Sequence, residues 1–156
     1  PVDPRQLQEI EERDLVPFRA LLPKLAAIMP AHIIFSAVDR YPVGFSRAWL
    51  QEFLRAELAF TGAIISDDLS MTGAAFAGDY PARAQMALDA GCDGILVCNQ
   101  PKLAHGVLDF LEGKNSPKTG RLSSLKGQSQ LPLAQLQLEK PWDDANELIA
   151  RYLSAS

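Results

Sequence analysis

Cysteine is nearly absent from this chain: of 156 residues, only Cys92 and Cys98 carry a thiol. They flank Asp93-Gly94-Ile95-Leu96-Val97, which reads as a strand. Six residues of strand span roughly 20 Å, well beyond the Cα separation a disulfide accepts. Both thiols are expected to be free and buried, in a reducing compartment. Histidine is as scarce. His32 and His105 stand apart from each other and no CxxC pair exists, so no metal or cofactor is expected. No apolar run reaches the roughly 18 residues of a membrane-crossing helix, and no export signal is visible. Basic charge is not in excess either. Fifteen Lys and Arg against nineteen Asp and Glu leave a net charge of −4, with no block of like charge. Nucleic acid and anionic membrane surfaces both select a basic face, so neither is an expected partner. The expected location is cytoplasmic. The chain also lacks an initial methionine, opening on Pro1-Val2-Asp3-Pro4, and is expected to be a fragment or a processed product.

What is present is enough apolar material, 47% of residues, for the core of one domain. The stretch that organises the rest is Gly62-Ala63-Ile64-Ile65-Ser66-Asp67-Asp68-Leu69-Ser70-Met71. An apolar run of strand length ends in two adjacent carboxylates. A hydrophobic strand has no need of aspartates at its end, and parallel α/β sheets keep their working residues at the carboxyl ends of strands. Asp67 is therefore a candidate catalytic carboxylate. Successive strand residues face opposite ways, so Asp67 and Asp68 cannot serve one atom together, and Asp68 is expected to brace the following loop.

Around this stretch, strands alternate with helices. Asp3, Pro4 and Gln6 read as the cap and first turn of a helix carrying Leu7, Ile10, Leu15, Phe18 and Leu22 inward, interrupted at Pro17. Leu25–Met29 reads as a buried strand that runs toward His32. Ser46 caps a helix with Trp49, Leu50, Phe53, Leu54 and Leu58 on one face. Residues 62–66 are apolar at consecutive positions, the mark of a strand covered on both sides. Pro81 opens a helix that stops at Gly91, residues 93–98 form the next strand, and Leu103, Ala104, Val107, Leu108 and Leu111 line the helix after it. The strand–helix step, about 30 to 37 residues, is that of an α/β fold. A last helix near 142–153 is expected to turn Ala145, Leu148, Ile149 and Tyr152 inward, with Trp142 packing it and His105 left in solvent. Three parallel strands cannot close a barrel of about eight. The chain is either a small open α/β sheet or part of a larger barrel.

Three segments occur in order: Met29-Pro30-Ala31-His32-Ile33-Ile34, the Ser66-Asp67-Asp68-Leu69-Ser70-Met71 core, and Ala87-Leu88-Asp89-Ala90-Gly91-Cys92-Asp93 leading to Leu96-Val97-Cys98-Asn99. Together they resemble family 3 glycoside hydrolases, and among these the bacterial cytoplasmic β-N-acetylglucosaminidases of peptidoglycan recycling. The resemblance covers residues 1 to about 112. It implies the C-terminal portion of a (β/α)8 barrel, about strands six to eight, over 1–112. A flexible polar segment over 113–130 and a closing segment over 131–156, its helix packed on the barrel, would follow. It also implies that Asp67 is the nucleophile of a retaining double displacement. The substrate class is a terminal β-linked N-acetylglucosamine on a muropeptide, with His32 a candidate sugar contact at the same mouth. The family's Lys-His-Phe-Pro-Gly-His-Gly segment and its Asp-x-His acid/base loop are not in this chain. The chain alone is thus expected to be inactive without the N-terminal half of the barrel, and to dimerise or aggregate through its bare edges. The alternative is a stand-alone, non-catalytic α/β binding or scaffold module.

Overall fold

The computed structural model describes residues 1–112, 120–127 and 131–154. It contains two compact units, Pro1–Leu125 and Lys126–Ser156. The first unit opens with β1 (Val2–Asp3), α1 (Leu7–Arg13), α2 (Val16–Leu21), β2 (Ala27–Ile28) and β3 (Ile34–Phe35). A π-helix over Ala48–Glu57, β4 (Ala63–Asp68), a 3-10 helix over Thr72–Ala77, α3 (Tyr80–Ala90), β5 (Gly94–Leu96) and α4 (Pro101–Glu112) follow. The second unit holds α5 (Leu133–Leu136) and α6 (Lys140–Ser154).

All strand pairs among the described residues are parallel. The three expected strands join as β2-β4-β5, with β4 in the middle. The fold is α/β. Ala63 and Ile64 of β4 are both fully buried, as a strand covered on both faces requires. Burying a side chain such as Ile64 contributes about 1.5–3 kcal/mol. Leu50, Leu69, Phe45 and Phe60 pack into the same core, with Ala84, Ala87 and Ala90 of α3 and Val107 of α4. The small α3 residues let that helix lie close to the sheet.

The chain's first residues differ from the expected helix. Val2–Asp3 pairs with Ile34–Phe35 as a second, two-stranded parallel sheet. Asp3 does not cap a helix. Its carboxylate accepts the Arg5 backbone N–H and the Arg5 guanidinium, which also reaches Asp14. The helix starts only at Leu7, and of the expected stripe Ile10 alone is buried, while Phe18 is half exposed. The interruption expected at Pro17 is present: α1 ends at Arg13 and α2 begins at Val16, with Pro17 in its first turn.

The helix after Ser46 is π rather than α. The Leu58 N–H reaches Phe53 O at 2.9 Å, five residues back. Ser46 does supply a cap, its Oγ accepting the Trp49 N–H at 3.2 Å. Trp49, Leu50 and Phe53 are buried as expected, with the Trp49 and Phe53 rings edge to face at 5.2 Å. Asp79 caps α3 by accepting the Ala82 N–H at 2.9 Å. Gly91 ends α3 at φ +121°, a backbone conformation that favours glycine, and a Cβ there would stand 1.8 Å from Nε2 of the flexible Gln51 side chain, which would have to move.

β5 is shorter than the expected 93–98. At its start Asp93, with a 4% exposed side chain, pairs with Arg55 at 2.7 Å and Arg121 at 3.2 Å and accepts the Ile64 N–H at 2.9 Å. Burial, followed by the like charge of Arg121, holds the Arg55 pKa below its usual value. Arg121 thus belongs to the first unit, which extends beyond residue 112. Most of the polar segment expected over 113–130, namely 113–119 and 128–130, lies outside the described residues. In the second unit, Leu148, Ile149 and Tyr152 of α6 are exposed, at 68%, 57% and 75%. An amphipathic stripe is buried only where a second layer faces it, and α5 is a single turn. No described helix is long and apolar enough to cross a membrane.

Candidate active site

Both carboxylates are the last two residues of β4. Between the pairs Ile65↔Gly94 and Asp68↔Leu96, two residues of β4, Ser66 and Asp67, oppose the single Ile95 of β5. This is a β-bulge, a device that re-aims side chains at the rims of sheets. Ser66 closes the gap in the ladder. Its buried Oγ accepts the Leu96 N–H at 3.0 Å, and the Leu69 N–H returns to Leu96 O at 2.9 Å.

The two aspartates then separate in role. Asp68 Oδ1 accepts the N–H groups of Cys98 and Ser70, both at 2.9 Å, and Oδ2 accepts the Ser70 hydroxyl. Burial acts to raise the Asp68 pKa. The hydrogen bonds from Cys98 and Ser70, with the charge of His32, outweigh it and leave the carboxyl below its ordinary value. Asp68 is the brace expected of it. Asp67, half-buried, accepts one hydrogen bond among the described residues, from the Asp68 N–H to Oδ1 at 2.8 Å. It is the carboxylate left available at the strand's end.

His32, in the segment between β2 and β3, is 6% exposed, and its Nε2 stands 3.0 Å from Asp68 O. Its ring stacks on Phe45 at 5.4 Å, and its Nδ1 is buried without a hydrogen-bond partner among the described residues. The structure therefore places His32 in hydrogen-bond contact with the Asp68 backbone. Arg83 of α3 donates to Leu69 O at 2.7 Å and Gly78 O at 2.8 Å, strapping the loop after β4. Phe76 on that loop is edge to face with Phe45 at 5.2 Å and stacks on Tyr41 at 6.1 Å. Met71 and Phe76 are about half exposed beside the site, His105 is exposed, and Trp142 is half-buried. Both cysteines are free. Cys92 is buried, which pushes its thiol up to about 12, while Cys98 is only half-buried, short of the expectation. Among the described residues, no group of three or more His, Cys, Asp or Glu side chains could hold a metal ion.

The bulge, the Arg83 strap and the Cys98 N–H had no expectation in the sequence. Only the Asp68–Ser70 turn has a local signature, an Asp whose carboxylate takes the N–H two residues on.

The first unit thus presents a parallel α/β sheet with one braced and one available carboxylate at a strand's carboxyl end. Residues 1–121 match the glycosyl hydrolase family 3 N-terminal domain, and the chain belongs to that family. It is 47% identical over 151 residues to a beta-hexosaminidase of Tolumonas auensis, covering 96% of this chain and 44% of the relative. It is 54% identical over 129 residues to a beta-hexosaminidase of Thiobacillus denitrificans, covering 81% of this chain and 36% of the relative. Among solved structures it is similar to native NagZ of Neisseria gonorrhoeae, with a TM-score of 0.72 and 35% identity over 96% of this chain and 43% of that one. The same enzyme has been solved in complex with N-trifluoroacetyl-D-glucosamine, with a TM-score of 0.73 to this chain. The chain spans less than half the length of these relatives.

Proposed function

We propose that this chain is the nucleophile-bearing portion of a retaining β-N-acetylhexosaminidase that releases terminal β-linked N-acetylglucosamine from peptidoglycan-derived muropeptides in the cytoplasm. The observation that carries the reading is the division of labour at the end of β4. Asp68 accepts hydrogen bonds at both oxygens, and Asp67 keeps one oxygen free of any among the described residues. Asp67 attacks the anomeric carbon, and the bond to the leaving-group oxygen breaks as that oxygen takes a proton from a general acid. Water then cleaves the glycosyl–aspartate ester with net retention. A carboxylate suits this step because positive charge develops on the sugar ring in the transition state. No cofactor takes part. The acid and the remaining strands of a (β/α)8 barrel come from sequence outside this chain. The chain's strands are then about the sixth to eighth, and the chain by itself does not turn over substrate.

The test is turnover of a β-N-acetylglucosaminide by a family-length protein carrying this chain. Asp67→Asn is expected to abolish hydrolysis, and Asp68→Asn to act mainly through stability. Full activity in the Asp67 variant overturns the assignment. Retention-type hydrolysis by the purified 156-residue chain overturns the division between this portion and its acid.

A further inference from the structure

The backbone that follows the proposed nucleophile is accounted for group by group. The Asp68 N–H goes to Asp67 Oδ1, the Leu69 N–H to Leu96 O and the Ser70 N–H to Asp68 Oδ1. The Leu69 carbonyl is taken by Arg83. The carbonyl of Asp68 is taken by His32, from the segment between β2 and β3, at 3.0 Å. A carbonyl oxygen only accepts, so His32 Nε2 carries the hydrogen and donates whatever the charge of the ring.

Packing alone does not explain an imidazole here. The ring is 6% exposed and stacked on Phe45. A phenyl ring would fill that role without burying a polar atom, whereas the imidazole leaves Nδ1 buried and, among the described residues, unpartnered, which is costly. What the imidazole adds is the Nε2–H aimed at Asp68 O. Gly73 packs closely against this side chain: a Cβ on it would stand 2.7 Å from His32 Cβ and 3.3 Å from His32 Cγ. His32 is therefore held from three sides, by Phe45, by Gly73 of the loop that follows β4, and by the carbonyl next to Asp67.

We propose that His32 is a positioning residue for Asp67: its Nε2–H holds the Asp68 carbonyl, and so fixes the bulged end of β4 on which the nucleophile stands. It does not touch the sugar. The inference rests on the reading of Asp67 as nucleophile. Misplacing a reacting group by about 1 Å costs on the order of 100-fold in rate, and the loss belongs to the chemical step rather than to binding.

The experiment uses a family-length protein carrying this chain, with His32→Leu, His32→Gln and His32→Asn compared on a β-N-acetylglucosaminide, and Asp67→Asn in parallel. Gln keeps an N–H donor at the reach of Nε2, Asn falls short of it, and Leu has none. Expected is a fall in kcat of on the order of 10- to 100-fold in the Leu and Asn variants with KM within about two-fold. Gln recovers most of the loss. A Leu variant with unchanged kcat, or one whose KM rises while kcat holds, overturns the proposal. If the Leu variant does not fold, equal kcat in Gln and Asn overturns it. Retained turnover in Asp67→Asn instead overturns the underlying reading of the site and leaves a different signature, since it does not depend on residue 32.

Discussion

Ser66 Oγ accepts the Leu96 N–H at 3.0 Å and stands in for a backbone carbonyl in the β4–β5 ladder. A side chain thus supplies the rung that the bulge removes, 30 residues away in sequence. Ser66→Ala leaves a partly buried N–H with no acceptor. It is expected to cost about 1–3 kcal/mol in urea unfolding, and to loosen the strand end that carries Asp67. Ser66→Ala with unchanged stability would mean that the rung is dispensable.

The opposite end of the same strands is held by charge. Asp93 joins Arg55 and Arg121 and takes the Ile64 N–H. Asp93→Ala leaves Arg55, whose side chain is 11% exposed, without this partner. Removing one partner of a buried pair costs about 3–5 kcal/mol. Arg121→Ala, at a 37% exposed position, is expected to cost far less. Thermal melts of the two variants check the order.

Asp68 makes stability depend on acid pH. Its folded-state pKa lies below the ordinary 3.8, because hydrogen bonds to the carboxylate outweigh its burial. A depressed carboxylate contributes fully above the unfolded-state value and loses that contribution as pH falls through the folded-state one. Unfolding free energy should therefore decline below about pH 4. Asp68→Asn is expected to be less stable at pH 6 and to show a shallower decline between pH 5 and 3. Equal slopes in parent and variant would remove Asp68 from the acid response.

Gly91→Ala tests the stop of α3. The position combines φ +121° with a Cβ site 1.8 Å from Gln51 Nε2. Strained backbone alone costs on the order of 1–3 kcal/mol, and displacement of Gln51 adds to it. Gln51→Ala in the same chain should relieve only the contact. A double variant restored to parental stability would show that the backbone is unstrained.

The thiols differ in access. Cys92 is buried and its thiol is pushed up to about 12, first by burial and then by the charge of Asp93, whereas Cys98 is half-buried at the strand end. Peptide mapping after iodoacetamide at pH 8 is expected to find Cys98 modified in the folded protein and both cysteines modified in urea. Rapid native labelling of Cys92 would contradict its burial.

Much of the architecture was legible because its signals are local. Consecutive apolar residues at 62–66 mark a doubly covered strand, and β4 is buried on that pattern. Pro81 and Gly91 bound α3 through fixed φ and positive φ, each a property of one residue, while the Asp79 cap had no expectation in the sequence. The two-stranded sheet of β1 and β3 was not legible. Val2–Asp3 and Ile34–Phe35 are two residues each, too short for periodicity, and they exist by pairing with one another. The same Asp3 that looks like a helix cap is claimed by Arg5. For α6 the amphipathic pattern was correctly read as a helix, but a pattern carries no information about what covers it.

At the site, the sequence by itself determined that two carboxylates end a buried parallel strand. Only the tertiary structure decided which of them is bound and which is available. Cys98, His32 and Ser66 act on β4 or β5 from 30 to 36 residues away, through single hydrogen bonds. Contacts of that range leave no periodicity along the chain. They exist once the strands are in register, and the bulge that distinguishes Asp67 from Asp68 is itself a property of that register.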